Sequence, residues 1–140
     1  MNFGLSDREE ELDVKISLEG TIGTSIRGYE SGEPERIRIR DAAAEIGPRI
    51  EDAAKEGFGV VMKIDCEGSE FAIFDSLIRS RLLPKIDAFA IEWHKWWSRE
   101  KTQADLLAPL IKAGFFVIDR SRPEDEFGGL LLAVRSPRSL

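Results

Sequence analysis

The chain has 140 residues, which is enough for one compact domain with a buried core and too few for two. Its formal net charge of −6 argues against nucleic acid or an anionic membrane as the main partner, because both require a basic face. A single cysteine, Cys66, excludes an internal disulfide and a cysteine-based zinc site. The sequence has no apolar run of bilayer length and no signal-peptide pattern, so we expect a cytoplasmic protein.

The first third of the chain is weakly patterned. Residues 14–18 alternate apolar and polar side chains and predict a half-buried strand. Residues 20–28 are rich in glycine and predict a loop, and residues 30–34 predict a turn. Isoleucine alternates with arginine over residues 36–40, which predicts a second short strand with one charged face.

A helix is predicted after this strand. Asp41 stands where a helix N-cap is expected, ahead of the apolar residues 42–46. Because Gly47-Pro48 follows, we expect the helix to be interrupted there and to resume over residues 50–56.

From residue 57 the patterns are stronger. Residues 59–65 are apolar apart from Lys63 and predict a strand covered on both faces. Residues 69–83 carry apolar side chains at helical spacing, and residues 86–92 predict a second buried strand. A helix is expected after Thr102, a plausible N-cap with Asp105 three residues on. Two strands, over residues 115–118 and 130–134, then flank a polar loop and predict an antiparallel hairpin.

The predicted order, β-α-β-α-β-β, is typical of an open α/β sheet that ends in a hairpin. Ligands of such sheets bind at the carboxyl ends of the parallel strands. This rule indicates residues 65–70 and 92–97 as the two parts of a ligand site.

The first part of the site holds three carboxylates at a strand-to-helix junction. Asp65 ends the strand, Glu67 and Gly68 form the turn, and Glu70 falls in the first turn of the helix. A carboxylate at the end of a buried strand needs a partner, which favours a ligand-binding role for Asp65. Ser69 and Glu70 can equally serve helix capping, and Gly68 is best explained by a tight turn.

The second part of the site contains the only histidine of the chain. Glu92 ends the second predicted strand and His94 follows it, so either can accept a proton near neutral pH. Trp96 and Trp97 are candidates for the wall of an apolar substrate pocket, while Trp93 is more readily explained by packing under the next helix.

The segment KIDCEGSE, followed by IEWH, resembles the FkbM family of S-adenosylmethionine-dependent methyltransferases. That family carries a lysine-x-Asp-x-Glu-Gly-x-Glu signature at the end of its fourth strand, and a Glu-x-His element commonly ends its next strand. Residues 2–7 resemble a further family segment, small-x-Ser-Asp, after its third strand. The matching positions are Lys63, Asp65, Glu67, Gly68, Glu70, Glu92, His94, Ser6 and Asp7.

The resemblance implies a Rossmann-like class I methyltransferase sheet, with S-adenosylmethionine as cofactor and a hydroxyl oxygen of a small molecule, sugar or lipid as methyl acceptor. By analogy, Asp65 lies near donor and acceptor, and His94 or a nearby acid accepts the hydroxyl proton. The implied roles are catalytic for Asp65, Glu92 and His94; cofactor-binding for Asp65, Glu67, Gly68, Ser6 and Asp7; and substrate-binding for Lys63, Glu70, Trp96 and Trp97. No metal ligand is implied.

The family's first strands and glycine-rich donor loop have no counterpart in the sequence. We therefore expect residues 1–140 to form a partial domain, with the end of the family's third strand and an insertion in residues 1–57 and its fourth to seventh strands in residues 58–140. An uncovered sheet edge favours self-association. Two alternatives remain open: a non-catalytic domain that acts by self-association, and a metal-assisted enzyme using Asp65, Glu67, Glu92 and His94.

Overall fold

The computed structural model describes residues 3–16, 33–95, 100–122 and 128–135. Within them the chain is a mixed α/β fold with two sheets and three α-helices. No helix in these ranges is long and apolar enough to span a bilayer. The elements are β1 (Gly4–Ser6), β2 (Glu10–Ile16), β3 (Glu33–Asp41), α1 (Ala42–Lys55), β4 (Val61–Ile64), α2 (Glu70–Arg79), β5 (Ala88–His94), α3 (Ala104–Lys112), β6 (Phe115–Asp119) and β7 (Gly128–Arg135).

A three-stranded sheet forms the amino-terminal part of the fold. β3 lies in its centre, parallel to β1 and antiparallel to β2. The strands predicted around residues 14–18 and 36–40 are confirmed in their described parts. The turn predicted over residues 30–34 is wrong at Glu33 and Pro34, which belong to β3. Pro34 is tolerated because β1 pairs only with residues 39–41, which leaves one side of β3 open at this point.

Helix α1 begins as predicted and does not break where predicted. The Asp41 side chain accepts a hydrogen bond from the Ala44 N–H at 3.0 Å, which confirms the N-cap. The interruption predicted at Gly47-Pro48 is wrong, since α1 is continuous through both residues. Proline removes one helical hydrogen bond, but the buried Gly47 packs beside Leu82, so tertiary contacts hold this face of the helix. Packing of this face of α1 outweighs the local tendency of Gly47-Pro48 to interrupt a helix.

A four-stranded sheet in the order β4-β5-β7-β6 carries the second half of the chain. β4 is parallel to β5, while β7 is antiparallel to both β5 and β6, so the predicted terminal hairpin is confirmed. α2 and α3 cover one face of this sheet. The core residues on that side include Ile64, Phe71, Phe74, Leu77, Phe89, Ile91, Leu106, Leu110, Leu131 and Ala133.

The opposite face of the same sheet is open. Strand register places Val61, Ala88, Val134 and Phe116 in one row across it. Val61 is 76% exposed and Phe116 is 73% exposed. The prediction that residues 59–65 form a strand covered on both faces is therefore wrong: β4 is a short edge strand with one face in solvent. β5 is likewise buried on the helix side only.

Candidate functional site

The turn between β4 and α2 has left-handed backbone at two successive residues. Glu67 has a φ of 50° and Gly68 a φ of 111°. Only glycine adopts such angles without strain, so the tight turn predicted at Gly68 is confirmed. The conformation reverses the chain within residues 65–69 and directs two backbone N–H groups toward the side chain of Glu70.

Glu70 organises this turn from inside the protein. Its carboxylate accepts hydrogen bonds from the N–H groups of Cys66 at 3.1 Å and of Gly68 at 3.0 Å. A third partner is Nδ1 of His94, at 2.8 Å. Because the Glu70 side chain is completely buried, it cannot contact a substrate, and the substrate-binding role expected for it is corrected to a positioning role.

His94 is the last residue of β5 and meets Glu70 across the strand-to-helix junction. A carboxylate can only accept a hydrogen bond, so Nδ1 carries the proton and Nε2 keeps its lone pair in neutral imidazole. Nε2 lies 3.4 Å from a carboxylate oxygen of Glu67, and 14% of the His94 side chain is exposed. The ring is therefore held from behind, with its other nitrogen turned toward the site.

Asp65 completes a small cluster of polar groups with Glu67 and His94. One ligand atom from each of the three residues lies within 4.8 Å of the others. Asp65 also accepts a hydrogen bond from Nζ of Lys63 at 2.9 Å, and this bond raises the pKa of the exposed Lys63 ammonium. The structure thus brings together Lys63, Asp65, Glu67 and His94, as the sequence predicted.

Glu92 lies apart from this cluster. It is exposed on the open face of the sheet, and no hydrogen bond in the described ranges joins it to His94. Both residues line one groove of about 340 Å³, together with Arg120 and the start of β7. Glu92 therefore shares a groove with His94, but the described partners of His94 are Glu70 and Glu67.

The structure does not bring Ser6 and Asp7 to this site. The backbone oxygen of Asp7 accepts a hydrogen bond from Arg79 at 2.7 Å, and Arg79 is the last residue of α2. Glu70 is the first residue of the same helix, and ten helical residues span about 15 Å. The cofactor-binding role expected for Ser6 and Asp7 has no support from this placement, because β1 pairs with β3 at the far end of α2.

Trp93 is buried, and its aromatic contact is with α2, the helix before β5, where the sequence favoured packing under the helix after it. Its ring meets Phe71 of α2 edge-on, with centroids 6.5 Å apart, and its Nε1–H donates to the Ser121 hydroxyl at 3.2 Å. Trp96 and Trp97 lie outside the described residues. Cys66 is partly buried, and burial raises the pKa of its thiol, which disfavours the reactive thiolate.

A second groove, of about 430 Å³, adjoins the groove of His94 and was missed by the sequence reasoning. Trp93 and Gly128 line both grooves. Lys95, Lys101 and Arg122 also line the second one. The signal available in the sequence was the basic residue directly after the end of β5, but Arg122 joins it only through folding of the β6–β7 hairpin.

Comparison of the chain with protein-family models, with curated proteins and with solved structures finds no match.

Proposed function

We propose that this chain carries the acceptor half of an S-adenosylmethionine-dependent methyltransferase site, at which His94 removes the proton of a hydroxyl group. The observation that carries the proposal is the bond between the buried Glu70 and Nδ1 of His94, at 2.8 Å, beside a groove lined by the end of β5 and the start of β7. The antiparallel β6–β7 hairpin agrees with the FkbM resemblance, which supports the same reading.

Glu70 prepares His94 for proton transfer. With Nδ1–H donated to a carboxylate that cannot rotate away, the imidazole keeps one tautomer and one orientation. Nε2 would then accept the proton of an acceptor hydroxyl as the methyl group passes to the hydroxyl oxygen from the donor sulfur, which leaves as the neutral thioether S-adenosylhomocysteine. General-base assistance of this kind contributes roughly a hundredfold or more to a rate.

Asp65 and Glu67 fit a positively charged donor. Both carboxylates are about one-third exposed and lie beside His94, so they would hold the cationic end of S-adenosylmethionine next to the acceptor hydroxyl. The donor supplies an electrophilic methyl group when bound. The ion pair between Lys63 and Asp65 leaves Glu67 as the more available negative charge of the two.

Calorimetric titration with S-adenosylhomocysteine tests donor binding. We expect saturable heat with the wild-type chain, weaker binding with Glu67→Gln and unchanged binding with Asp52→Asn, an exposed carboxylate on α1. No heat at millimolar ligand would contradict donor binding by this chain.

Transfer of a radiolabelled methyl group to a panel of hydroxyl compounds tests whether His94 is the general base. His94→Gln should lose about a hundredfold or more in kcat, whereas Glu92→Gln should lose little. The reverse order would transfer the role of base from His94 to Glu92.

A divalent cation site is a second candidate function for the same cluster. Asp65, Glu67 and His94 offer two carboxylate oxygens and one imidazole nitrogen, and Glu70 supports the histidine as carboxylates do behind metal-bound histidines. Glu92, expected among the ligands, is not part of this group. Manganese should raise the melting temperature of the wild-type chain but not that of Glu67→Gln; equal melting with manganese and with EDTA would exclude the site.

A further inference from the structure

The second groove, which adjoins the groove of His94, is basic although the protein as a whole is acidic. Among the described residues that line it, three are basic, Lys95, Lys101 and Arg122, and one is acidic, Asp119. The complete chain has a formal net charge of −6, so chance placement would favour acids here. This local excess of positive charge favours an anionic ligand.

Asp119, the acidic residue among the described lining of the groove, is already engaged by its neighbours. Asp119 accepts a hydrogen bond from the N–H of Ser121 at 2.8 Å and another from the side-chain amide of Gln103. Lys101 is held by Asp75, with Nζ 2.8 and 2.9 Å from the two carboxylate oxygens. Within the described residues no ion pair engages Lys95 or Arg122, and both residues line the groove.

A neutral hydrogen-bond donor stands in the same groove. The Ser121 hydroxyl accepts from Nε1 of Trp93 and from Nε2 of Gln103, each at 3.2 Å. A hydroxyl oxygen has two acceptor sites and one O–H. With both acceptor sites used, the remaining O–H of Ser121 can donate to a ligand, and an oxyanion is the ligand that accepts from a hydroxyl and two cations together.

We propose that this groove binds the anionic group, a phosphate or a carboxylate, of the molecule whose hydroxyl is methylated at His94. That the bound molecule is the methyl acceptor rests on the proposed function. That the groove binds an anion rests on its basic lining alone. Trp93 and Gly128 line both grooves, so one small molecule can extend from Lys95 and Arg122 to His94. The acceptor is thus a hydroxyl compound with an acidic group, and a neutral sugar or lipid is disfavoured.

Titration of the ¹⁵N-labelled full chain with inorganic phosphate and, separately, with acetate at low ionic strength tests the anion site. We expect saturable amide shifts at Lys95 and Ser121, and the tighter of the two ions identifies the preferred group. Lys95→Gln and Arg122→Gln should each weaken binding by roughly three- to tenfold. Lys112→Gln, an exposed lysine on α3, is the matched control and should change nothing.

Two results would overturn the anion site: the absence of saturable shifts with both ions, or shifts that persist unchanged in the Lys95→Gln/Arg122→Gln double variant. Failure of the methyltransferase proposal is distinguishable, because His94→Gln should bind phosphate as tightly as the wild type. Transfer to glycerol and to glycerol 3-phosphate with equal KM would overturn the acceptor assignment while leaving His94 as the base.

Discussion

The two faces of the four-stranded sheet are made of the same strands and have opposite surroundings. On one face, Phe89, Ile91 and Leu131 are at most 2% exposed beneath α2 and α3. On the other face, Val61 and Phe116 are about three-quarters exposed, although they belong to strands of the same sheet. Apolar character along a strand therefore does not determine burial, since burial depends on what the rest of the chain places against each face.

The difference indicates where the folding free energy originates. Burial of apolar surface contributes roughly 25 cal/mol per Å², so the helix-covered face supplies most of the stability and the open face supplies little. The candidate site lies at the ends of the strands, between the covered face and the open face. Glu70 and His94 take their rigidity from the covered side, and Glu92 lies on the open side.

The largest effect is expected from truncation in the covered face. Phe74 is 1% exposed and packs edge-on against Phe89, with ring centroids 5.9 Å apart. Phe74→Ala should lower the free energy of unfolding by about 4 kcal/mol. Phe116→Ala is the matched control on the open face and should cost less than about 1 kcal/mol. Urea denaturation of dilute samples measures both, and equal losses would show that the open face is covered in solution.

A smaller effect on stability is expected from substitution of the two glutamates Glu70 and Glu92. Glu70→Gln replaces an acceptor of three hydrogen bonds by a group with its own N–H₂, which should cost about 2 kcal/mol of unfolding free energy. Glu92→Gln, on the open face, should stay within about 0.5 kcal/mol. Imidazole ¹⁵N shifts should also show loss of the single His94 tautomer in Glu70→Gln only. An unchanged tautomer would remove the positioning role of Glu70.

A third prediction concerns association through the open face. A contiguous apolar patch on an exposed surface favours contact with a second copy, whereas the sequence suggested self-association through an uncovered sheet edge. Sedimentation should show a concentration-dependent dimer for the wild type and a weaker one for Phe116→Ser, with no effect from Lys112→Gln. A wild type that remains monomeric at all concentrations would contradict self-association.

The smallest effect is expected at Cys66, which packs at the margin of the covered face. Burial raises the pKa of its thiol above the usual value of 9.0, so the folded chain holds the proton more tightly than the unfolded chain. Alkylation by iodoacetamide at pH 8 should be slower in native than in urea-unfolded protein. Because unfolding releases that proton above pH 9, stability should fall slightly as the pH rises further, and this fall should be absent in Cys66→Ala.

The sequence predicted the elements of the second half of the fold because their patterns are local. The approximate places of the strands, the N-cap at Asp41 and the terminal hairpin follow from spacing, turn residues and apolar periodicity, although β5 ends at His94 and not at Glu92 as predicted. The continuity of α1 through Pro48 was not predictable, since it depends on packing of Gly47 against Leu82, which is distant in sequence. The open face was missed for the same reason.

The sequence predicted that the ends of two strands form one site, and three of the residues it selected lie together there, while their roles stay predictions. Asp65, Glu67 and His94 meet because both strand ends lie at one edge of the sheet. Glu92 and His94 were both selected as proton acceptors at one strand end, whereas the structure pairs His94 with Glu70, 24 residues earlier in the chain. The basic groove depends on Arg122 of the β6–β7 hairpin, and no local pattern connects that residue to Lys95.

The left-handed turn at Glu67 and Gly68 has a consequence for the energetics of binding. Its amide groups are tied to a carboxylate that solvent does not reach, so the N–H protons of Cys66 and Gly68 should exchange with deuterium as slowly as those of the neighbouring helix. A segment without regular secondary structure is then as ordered before a ligand arrives as after it. The conformational entropy of arranging Glu67 and His94 is lost once, during folding, and does not weaken each binding event.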